Sequence, residues 1–262
     1  MSPIAKPALW SARFKLVRAE EHLDSIVKIL RSFAYGDCQI VPEKDAKRNA
    51  VFLRVYLPKP PDSLASVIGD FLFNIRSALD HIVYRLVLTN APDKARNSTA
   101  FPICSSADNF AAALKRKRLE GVPEKAVTLI ERLQPYHGRE NPLETLDDLH
   151  NIDKHKNLHL TTVVASTVVL EWLDEQDPIC AMFLGNDELR DGARFGGVGL
   201  SLDDPVASRF EDMKVQGKAT IFVAFDNPTA ESLEPHRVDA VLQSIFEFVR
   251  YTVFEAFEPF FD

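Results

Sequence analysis

The sequence predicts an α+β fold in which four main helices form a bundle and an antiparallel β-sheet is inserted before the last helix. Three observations predict this class. Helical hydrophobic periodicity dominates the first part of the chain, β-branched and aromatic runs replace it after residue 160, and a helical pattern returns at residue 234. We therefore expect a single α+β domain over residues 1–262, with helices within 8–160 and 234–260 and a β-rich insert at about 161–230.

The first helix is predicted over residues 8–33, because leucines recur every seven residues along it. The stretch CQIVPEKDAKRNAVFLRVYLP follows, and its two β-rich runs around a polar middle predict a hairpin that ends at Pro58. Pro60 and Pro61 then break the chain. Asp62 is a suitable N-cap for a second helix that runs to about Thr89.

The second half of the chain begins with two further helices. A shorter helix is predicted between Pro123 and Pro135, and a fourth begins at Asn141 and runs to about His159, since Asn141 and Glu144 form a capping box. The runs TTVVASTVVLEWL, PICAMFL, ARFGGVGLSL and KATIFVAF then predict four antiparallel strands. The last helix, over residues 234–260, has a wide apolar face that we expect the earlier helices to cover.

Composition excludes several classes of protein. A net charge of −7 and a pI near 5.6 do not favour a nucleic-acid partner, although a local basic patch leaves one open. The three cysteines are odd in number and form no CxxC motif, which favours a reducing compartment. Neither a secretory signal nor an apolar window of about 18 residues is visible, so we predict a cytoplasmic protein without a membrane span. Oligomerisation stays open.

The second helix carries an unusual polar row. Asp70, Asn74, Ser77 and His81 lie on the side opposite a stripe of aliphatic residues. Solvated helix faces are usually rich in Lys and Glu, whereas this row contains neither. We therefore expect a semi-buried polar network with neighbouring helices, and an ordinary solvated face is the alternative.

Two other helices offer partners for this row. On the first helix, Arg18 and His22 share one face and are expected to meet Asp70 or Asp80. On the fourth helix, His155 and His159 lie four residues apart and therefore on one face, with His150, Asp153 and Lys154 on the other sides. Four of the seven histidines thus lie in the second and fourth helices.

Four phrases of the sequence resemble a broad family of uncharacterised bacterial and phage-associated proteins. They are GDFLFNIRSALDH, FPI at 101–103, LQPYHG at 133–138 and LHNIDKHK, and together they cover roughly the first 160 residues. The resemblance implies no established activity. The positions it marks are Gly69, Asp70, Asn74, Arg76, Ser77, Asp80, His81, Asp153, Lys154 and His155.

A looser resemblance concerns Arg76 and His81, which have four residues between them and a polar residue directly after the arginine. This spacing is similar to the R-x4-6-H signature of HEPN helical-bundle ribonucleases. The resemblance implies metal-independent RNA cleavage, in which the pair assists attack by a ribose 2′-hydroxyl and stabilises the phosphorane charge. Arg76, Asp80 and His81 would then form the catalytic site.

A metal-assisted hydrolase is a further alternative. His155 and His159 have a spacing that places two imidazoles on one metal ion, and Asp147 with His150 has the carboxylate-x-x-His spacing of metal sites in helical bundles. No HExxH motif completes such a site, so no metal or other cofactor is predicted.

The favoured hypothesis is a non-catalytic binding or structural protein, in which polar rows fix the register of the helices. Its ligand and partners are unknown. The binding residues it would use are Arg18, His22, Asp70, Asn74, Asp153, Lys154 and His155.

Overall fold

The computed structural model describes residues 9–34, 37–45, 47–48, 50–138, 141–156, 158–172, 180–184, 189–198, 215–226 and 236–261. Across these residues, helices and antiparallel strands occupy separate stretches of the chain. The predicted α+β class, with a helical bundle and an antiparallel sheet, is therefore confirmed.

Six α-helices of nine residues or more lie in the described ranges. They are α1 (Trp10–Phe33), α2 (Asp62–Asn90), α3 (Ala107–Lys115), α4 (Glu124–Arg132), α5 (Pro142–His155) and α6 (Val238–Glu247). The chain continues from α6 as a π-helix (Phe248–Phe254), an α-helical turn (Glu255–Phe257) and a 3₁₀ turn (Glu258–Phe261), and further 3₁₀ turns lie at Pro92–Lys94 and Pro135–His137. The predicted count of four main helices is too low, since α3, which Ser106 caps by accepting from the Asn109 N–H, was not among the predicted helices.

The fourth helix is shorter than predicted. It ends at His155, and Lys156 is already extended. His159 directly precedes the next strand: its carbonyl accepts from the Asp226 N–H, and Leu160 pairs with Phe225. The prediction that His155 and His159 share one helical face is therefore wrong, because His159 lies outside the helix, at the start of the strand pairing.

Within the described ranges, seven antiparallel strands form one sheet. They are β1 (Asp37–Asp45), β2 (Ala50–Tyr56), β3 (Leu160–Trp172), β4 (Cys180–Leu184), β5 (Leu189–Arg190), β6 (Arg194–Val198) and β7 (Val215–Phe225). Their order is β4-β3-β7-β1-β2-β6, and β5 also pairs with β3. The predicted hairpin of β1 and β2 is present, and it joins the later strands through the pairing of β1 with β7.

The described residues fall into two compact units. The helical unit contains those within Met1–Ile26, Ser63–Leu158 and Asp239–Asp262, and the sheet unit contains those within Val27–Asp62 and His159–Val238. The helical unit thus holds most of α1 together with α2, α5 and the last helix, as the bundle prediction requires. The predicted single domain stays a prediction.

Each unit has its own buried centre. In the helical unit, α2 buries a broad aliphatic face that includes Ile68, Leu72, Ile75 and Leu79. In the sheet unit, seven apolar residues form a core: Cys38, Ile40, Leu53, Val55, Leu57, Val164 and Ile221.

Two polar contacts also join strands within the sheet unit. The guanidinium groups of Arg194 and Arg54 hydrogen-bond to Glu43 and lower the pKa of that carboxyl to about 2. None of the described helices combines the length and the apolar composition that crossing a membrane requires.

Candidate functional site

The polar row of α2 is only partly buried. Asp70 is exposed, whereas Asn74, Ser77 and His81 are half-buried. The Asn74 side chain turns back on its own helix, where Nδ2 donates to the Asp70 carbonyl at 2.8 Å. The most buried polar contacts of α2 are instead made by two residues beside this row, Arg76 and Asp80.

Arg76 and Asp80 together hold the backbone of Phe101. Arg76 Nη2 donates to the Phe101 carbonyl at 2.7 Å, and the Phe101 N–H donates to Asp80 Oδ1 at 2.9 Å. Arg76 Nη1 lies 3.7 Å from the same Asp80 oxygen, and the Arg76 side chain is only 14% exposed. Both side chains thus use charged groups to satisfy one buried peptide segment.

Gln134 holds the same segment from its other end. This side chain is fully buried, and its Oε1 accepts from the Cys104 N–H at 2.9 Å. Its Nε2 donates to the carbonyls of Pro102 and Ile130, each at 2.9 Å. We call Phe101–Cys104 the FPIC loop; α2 holds one of its ends and the turn after α4 holds the other.

These contacts bring three of the four quoted phrases together, since Arg76 and Asp80 of RSALD and Gln134 of LQPY bind the backbone of the segment that begins with FPI. Sequence reasoning missed Gln134. The signal that points to it is an amide side chain between an apolar residue and Pro135, where a buried polar group must find partners.

The fourth phrase meets α2 at Gly69. A Cβ added to Gly69 would lie 2.7 Å from both carboxylate oxygens of Asp153 on α5. The missing side chain of Gly69 therefore leaves the space that the Asp153 carboxylate occupies against α2. Partial burial and the nearby Asp70 raise the pKa of Asp153, while His150 opposes the shift.

Charged groups of α2 and α5 influence one another around the Arg76 guanidinium. Burial raises the pKa of Asp80, although Arg76, the Phe101 N–H and two histidines act against it. Burial together with Arg76 lowers the pKa of His150, which Asp147 and Asp153 oppose. The structure thus places His150 near Arg76 and Asp80, and Asp153 near Asp70.

His81 faces a different segment from Arg76. Burial and the Lys15 ammonium lower the pKa of His81, whereas Asp80 and a hydrogen bond to the Ser11 backbone raise it. Lys15 in turn lies over the Phe73 ring, 5.3 Å from its centre. His81 therefore contacts α1 while Arg76 contacts the FPIC loop, and the ribonuclease hypothesis stays a prediction.

The remaining predicted site residues lie elsewhere. Arg18 is exposed and pairs with Glu21 on its own helix, and no hydrogen bond or ion pair among the described residues joins Arg18 or His22 to Asp70 or Asp80. The expected contacts are therefore not formed, because α1 presents Ser11 and Lys15 to this part of α2.

The end of α5 brings no cluster of ligands together. Lys154 and His155 are exposed there, and His159 is exposed in the extended segment before β3. Within the described ranges, no group of three or more His, Cys, Asp or Glu side chains is placed to hold a metal ion. Loss of the shared helical face removes the spacing on which the metal hypothesis depended.

A cleft of about 350 Å³ opens beside the FPIC loop, and we call it the loop cleft. Arg116 and Arg118 line one wall of it, just after α3. Lys117 between them has φ 61°, the left-handed conformation that ends a helix in a Schellman motif, and the Arg118 N–H donates to the Ala113 carbonyl accordingly. This turn is what brings both arginines to the cleft.

The wall that α5 contributes to the loop cleft is acidic. Glu144, Asp147 and Asp148 reach it from α5. Partial burial and the neighbouring carboxylates raise the pKa of Asp148. Among the described residues, these three carboxylates form no ion pair, and Arg116 and Arg118 form none either. Within the same ranges, the carboxylates take part in one side-chain hydrogen bond, in which Asn151 Nδ2 donates to Asp147 at 3.0 Å.

Comparisons with protein-family models, with curated proteins and with solved structures find no match for this chain. Its function is therefore inferred from the chemistry of the site.

Proposed function

We propose that the helical unit is a non-catalytic binding protein whose small ligand occupies the loop cleft and carries one cationic and one anionic group. One observation carries this proposal. The two walls of the cleft have opposite charge, and their charged groups have no ion-pair partner among the described residues.

The polar network of α2 supports a structural role rather than a catalytic one. Arg76 Nη2 and Asp80 Oδ1 are both committed to the backbone of Phe101, and Gln134 uses both ends of its amide on neighbouring peptides. A residue that must take or give a proton needs access to a substrate. The network instead holds the FPIC loop at the edge of the cleft, which favours a preformed binding site.

The lining of the cleft indicates the class of ligand. Arg116 and Arg118 suit a carboxylate or phosphate, since a guanidinium binds either group through paired hydrogen bonds. The carboxylates of α5 suit an ammonium group, which would also relieve the like-charge repulsion that raises the pKa of Asp148.

The space between the walls suits a short apolar spacer. Ile103, Ala112, Ala113 and Pro135 also line the cleft and offer apolar surface. The volume of about 350 Å³ lies at the small end of the range for small-molecule sites. A short zwitterion with a methylene spacer fits these three features.

Calorimetric titration with α,ω-amino acids of increasing length tests the proposal. Glycine, β-alanine, 4-aminobutyrate and 6-aminohexanoate differ only in the distance between their charges, so one length should bind best and report the separation of the walls. Butylamine and butyrate, each with a single charge, should bind more weakly.

Variants then assign the binding to the cleft. Arg118→Gln and Asp148→Asn should each weaken the best probe about tenfold or more, because a charge-assisted hydrogen bond contributes about 1.5–3 kcal/mol. Arg132→Gln and Asp24→Asn, which remove exposed charges outside the cleft, are the matched controls. Binding that is absent from the whole series, or that both cleft variants leave unchanged, would overturn the proposal.

A further inference from the structure

A second surface of the helical unit is apolar and exposed. A groove of about 460 Å³ lies between α1 and the π-helix, and Trp10, Phe14, Val17 and Tyr251 line it with exposures of 63%, 50%, 49% and 54%. Eight large apolar side chains are exposed in the described part of the chain, and four of them lie in this groove. We call it the aromatic groove. Clustering of this kind marks an interaction surface rather than scattered exposure.

The walls of the aromatic groove are held together by ion pairs. Arg250 Nη1 donates to Glu20 at 2.7 Å, and Arg13 pairs with Glu258, so each pair joins α1 to the C-terminal segment. The Arg250 guanidinium also lies over the Tyr251 ring, 5.3 Å from its centre. The shape of the groove is thus formed before any partner binds.

The charges of the rim restrict the partner. Two bases and two acids already pair across the groove, and only Glu255 adds a further charge to its lining. A nucleic acid would meet acids in excess, and a strongly basic peptide would have to break existing pairs. With two bases and three acids the rim is close to neutral, so it matches a partner of similarly mixed charge around an apolar centre.

The chain itself presents such a partner. Trp10, Phe14 and Val17 occupy positions i, i+4 and i+7 of α1, which is the spacing of anchors when a helix lies in a groove, and Trp10 and Phe14 stack at 5.5 Å. The aromatic groove and the three anchor residues lie on the same face of the protein. Two copies related by a two-fold axis can therefore each bury the exposed apolar residues of the other. We propose that the aromatic groove is the interface of a symmetric homodimer, in which α1 of each copy packs against the groove of the other.

This arrangement has a characteristic salt dependence. Each copy has a net charge of −7, so long-range repulsion opposes association at low salt. Burial of the aromatic side chains does not weaken with salt. Association of the intact protein should therefore strengthen as salt is added.

Sedimentation equilibrium of the full chain, over a range of protein and salt concentrations, tests the proposal. The wild type should be a dimer, and Phe14→Glu and Trp10→Ser should each weaken association about tenfold or more, since buried aromatics dominate interface energies. Phe73→Glu is the matched control, because Phe73 is similarly exposed, at 55%, but lies on α2 outside the groove.

Circular dichroism establishes that each variant is folded before it is compared. Since Trp10 and Phe14 are exposed, we expect all three variants to fold as the wild type does. A wild type that stays monomeric throughout would overturn the proposal. So would a dimer that both groove variants leave intact, or one that only Phe73→Glu disrupts.

Discussion

Asp80 is the residue on which the polar network depends. Its carboxylate is retained in a partly buried position although burial raises its pKa, and it accepts the Phe101 N–H while lying 3.7 Å from Arg76. Removing the carboxylate would leave a buried N–H and a guanidinium without their partner. The cost of such a change is set by the groups left behind rather than by the strength of the lost contact.

Asp80→Ala should accordingly lower the free energy of unfolding by about 2–4 kcal/mol, because it leaves the buried Phe101 N–H without an acceptor and the Arg76 guanidinium without its neighbouring negative charge. Asp70→Ala, at an exposed position of the same helix, is the control and should cost about 0.5 kcal/mol or less. Urea midpoints with unchanged slopes measure both values. Equal small losses at the two positions would show that the network does not stabilise the fold.

At the scale of elements, the packing of α5 against α2 depends on a missing side chain. Gly69 is buried, and the Asp153 carboxylate occupies the space that its Cβ would need. A glycine within a helix normally costs about 1 kcal/mol relative to alanine. At Gly69 this cost is accompanied by one contact, the seating of the Asp153 carboxylate against the bare backbone of α2.

Gly69→Ala should change the free energy of unfolding by less than about 1 kcal/mol, because the gain in helix propensity is offset by turning the Asp153 carboxylate away from the added methyl group. In an Asp153→Ala background the same change should be more favourable and should stabilise the protein by about 1 kcal/mol. Thermal or urea unfolding of all four proteins completes the double-mutant cycle. Gly138→Ala, where nothing lies within 4 Å of the added Cβ, should change little. Additive effects in the cycle would contradict the explanation.

The stability of the whole protein depends on pH through two kinds of residue in the helical unit, carboxyl groups with raised pKa values and histidines with lowered ones. The two kinds have opposite effects on stability. Burial raises the pKa of Asp80, Asp148 and Asp153, so the folded state binds more protons than the unfolded one and stability falls as pH rises through the raised values. His81 and His150 have lowered pKa values, so the unfolded state binds more protons. Their contribution is present above the ordinary value of 6.5 and is lost as pH falls through the folded values.

The contribution of His150 to the pH dependence of stability can be measured by comparing the wild type with a variant that lacks this histidine. Wild type should lose more stability than His150→Asn when the pH is lowered from 7 to below 6.5, because only the wild type must keep this half-buried imidazole neutral. His155→Asn, at the exposed end of α5, is the matched control. Chemical denaturation at several pH values gives the comparison. If the stabilities of wild type and His150→Asn fell in parallel as the pH was lowered, His150 would not have the lowered pKa on which this prediction depends.

Local sequence patterns were sufficient to predict most of the secondary structure. The hairpin of β1 and β2 and four of the later strands follow from hydrophobic period and turn residues, which act within a few positions. The predicted second helix, with Asp62 as its N-cap and an end at about Thr89, corresponds to α2, which begins with Asp62 inside the helix and ends at Asn90. The short α3 and the early end of α5 were not predicted. With nine residues, α3 has too few turns to show a clear hydrophobic period. The early end of α5 is set by the sheet, which joins His159 and Leu160 to residues more than sixty positions later.

The pairing of the polar groups could be learned only from the folded chain. Arg76 and Asp80 were found from the sequence, yet their partner is the backbone of Phe101, 25 and 21 residues away, and Gln134 reaches the same loop across 30 and 32 residues. A peptide N–H or carbonyl is present at nearly every position, so sequence patterns cannot specify which one a side chain will bind. The same holds for the loop cleft, where the arginines after α3 and the carboxylates of α5 line one cavity although about 30 residues separate them in the chain.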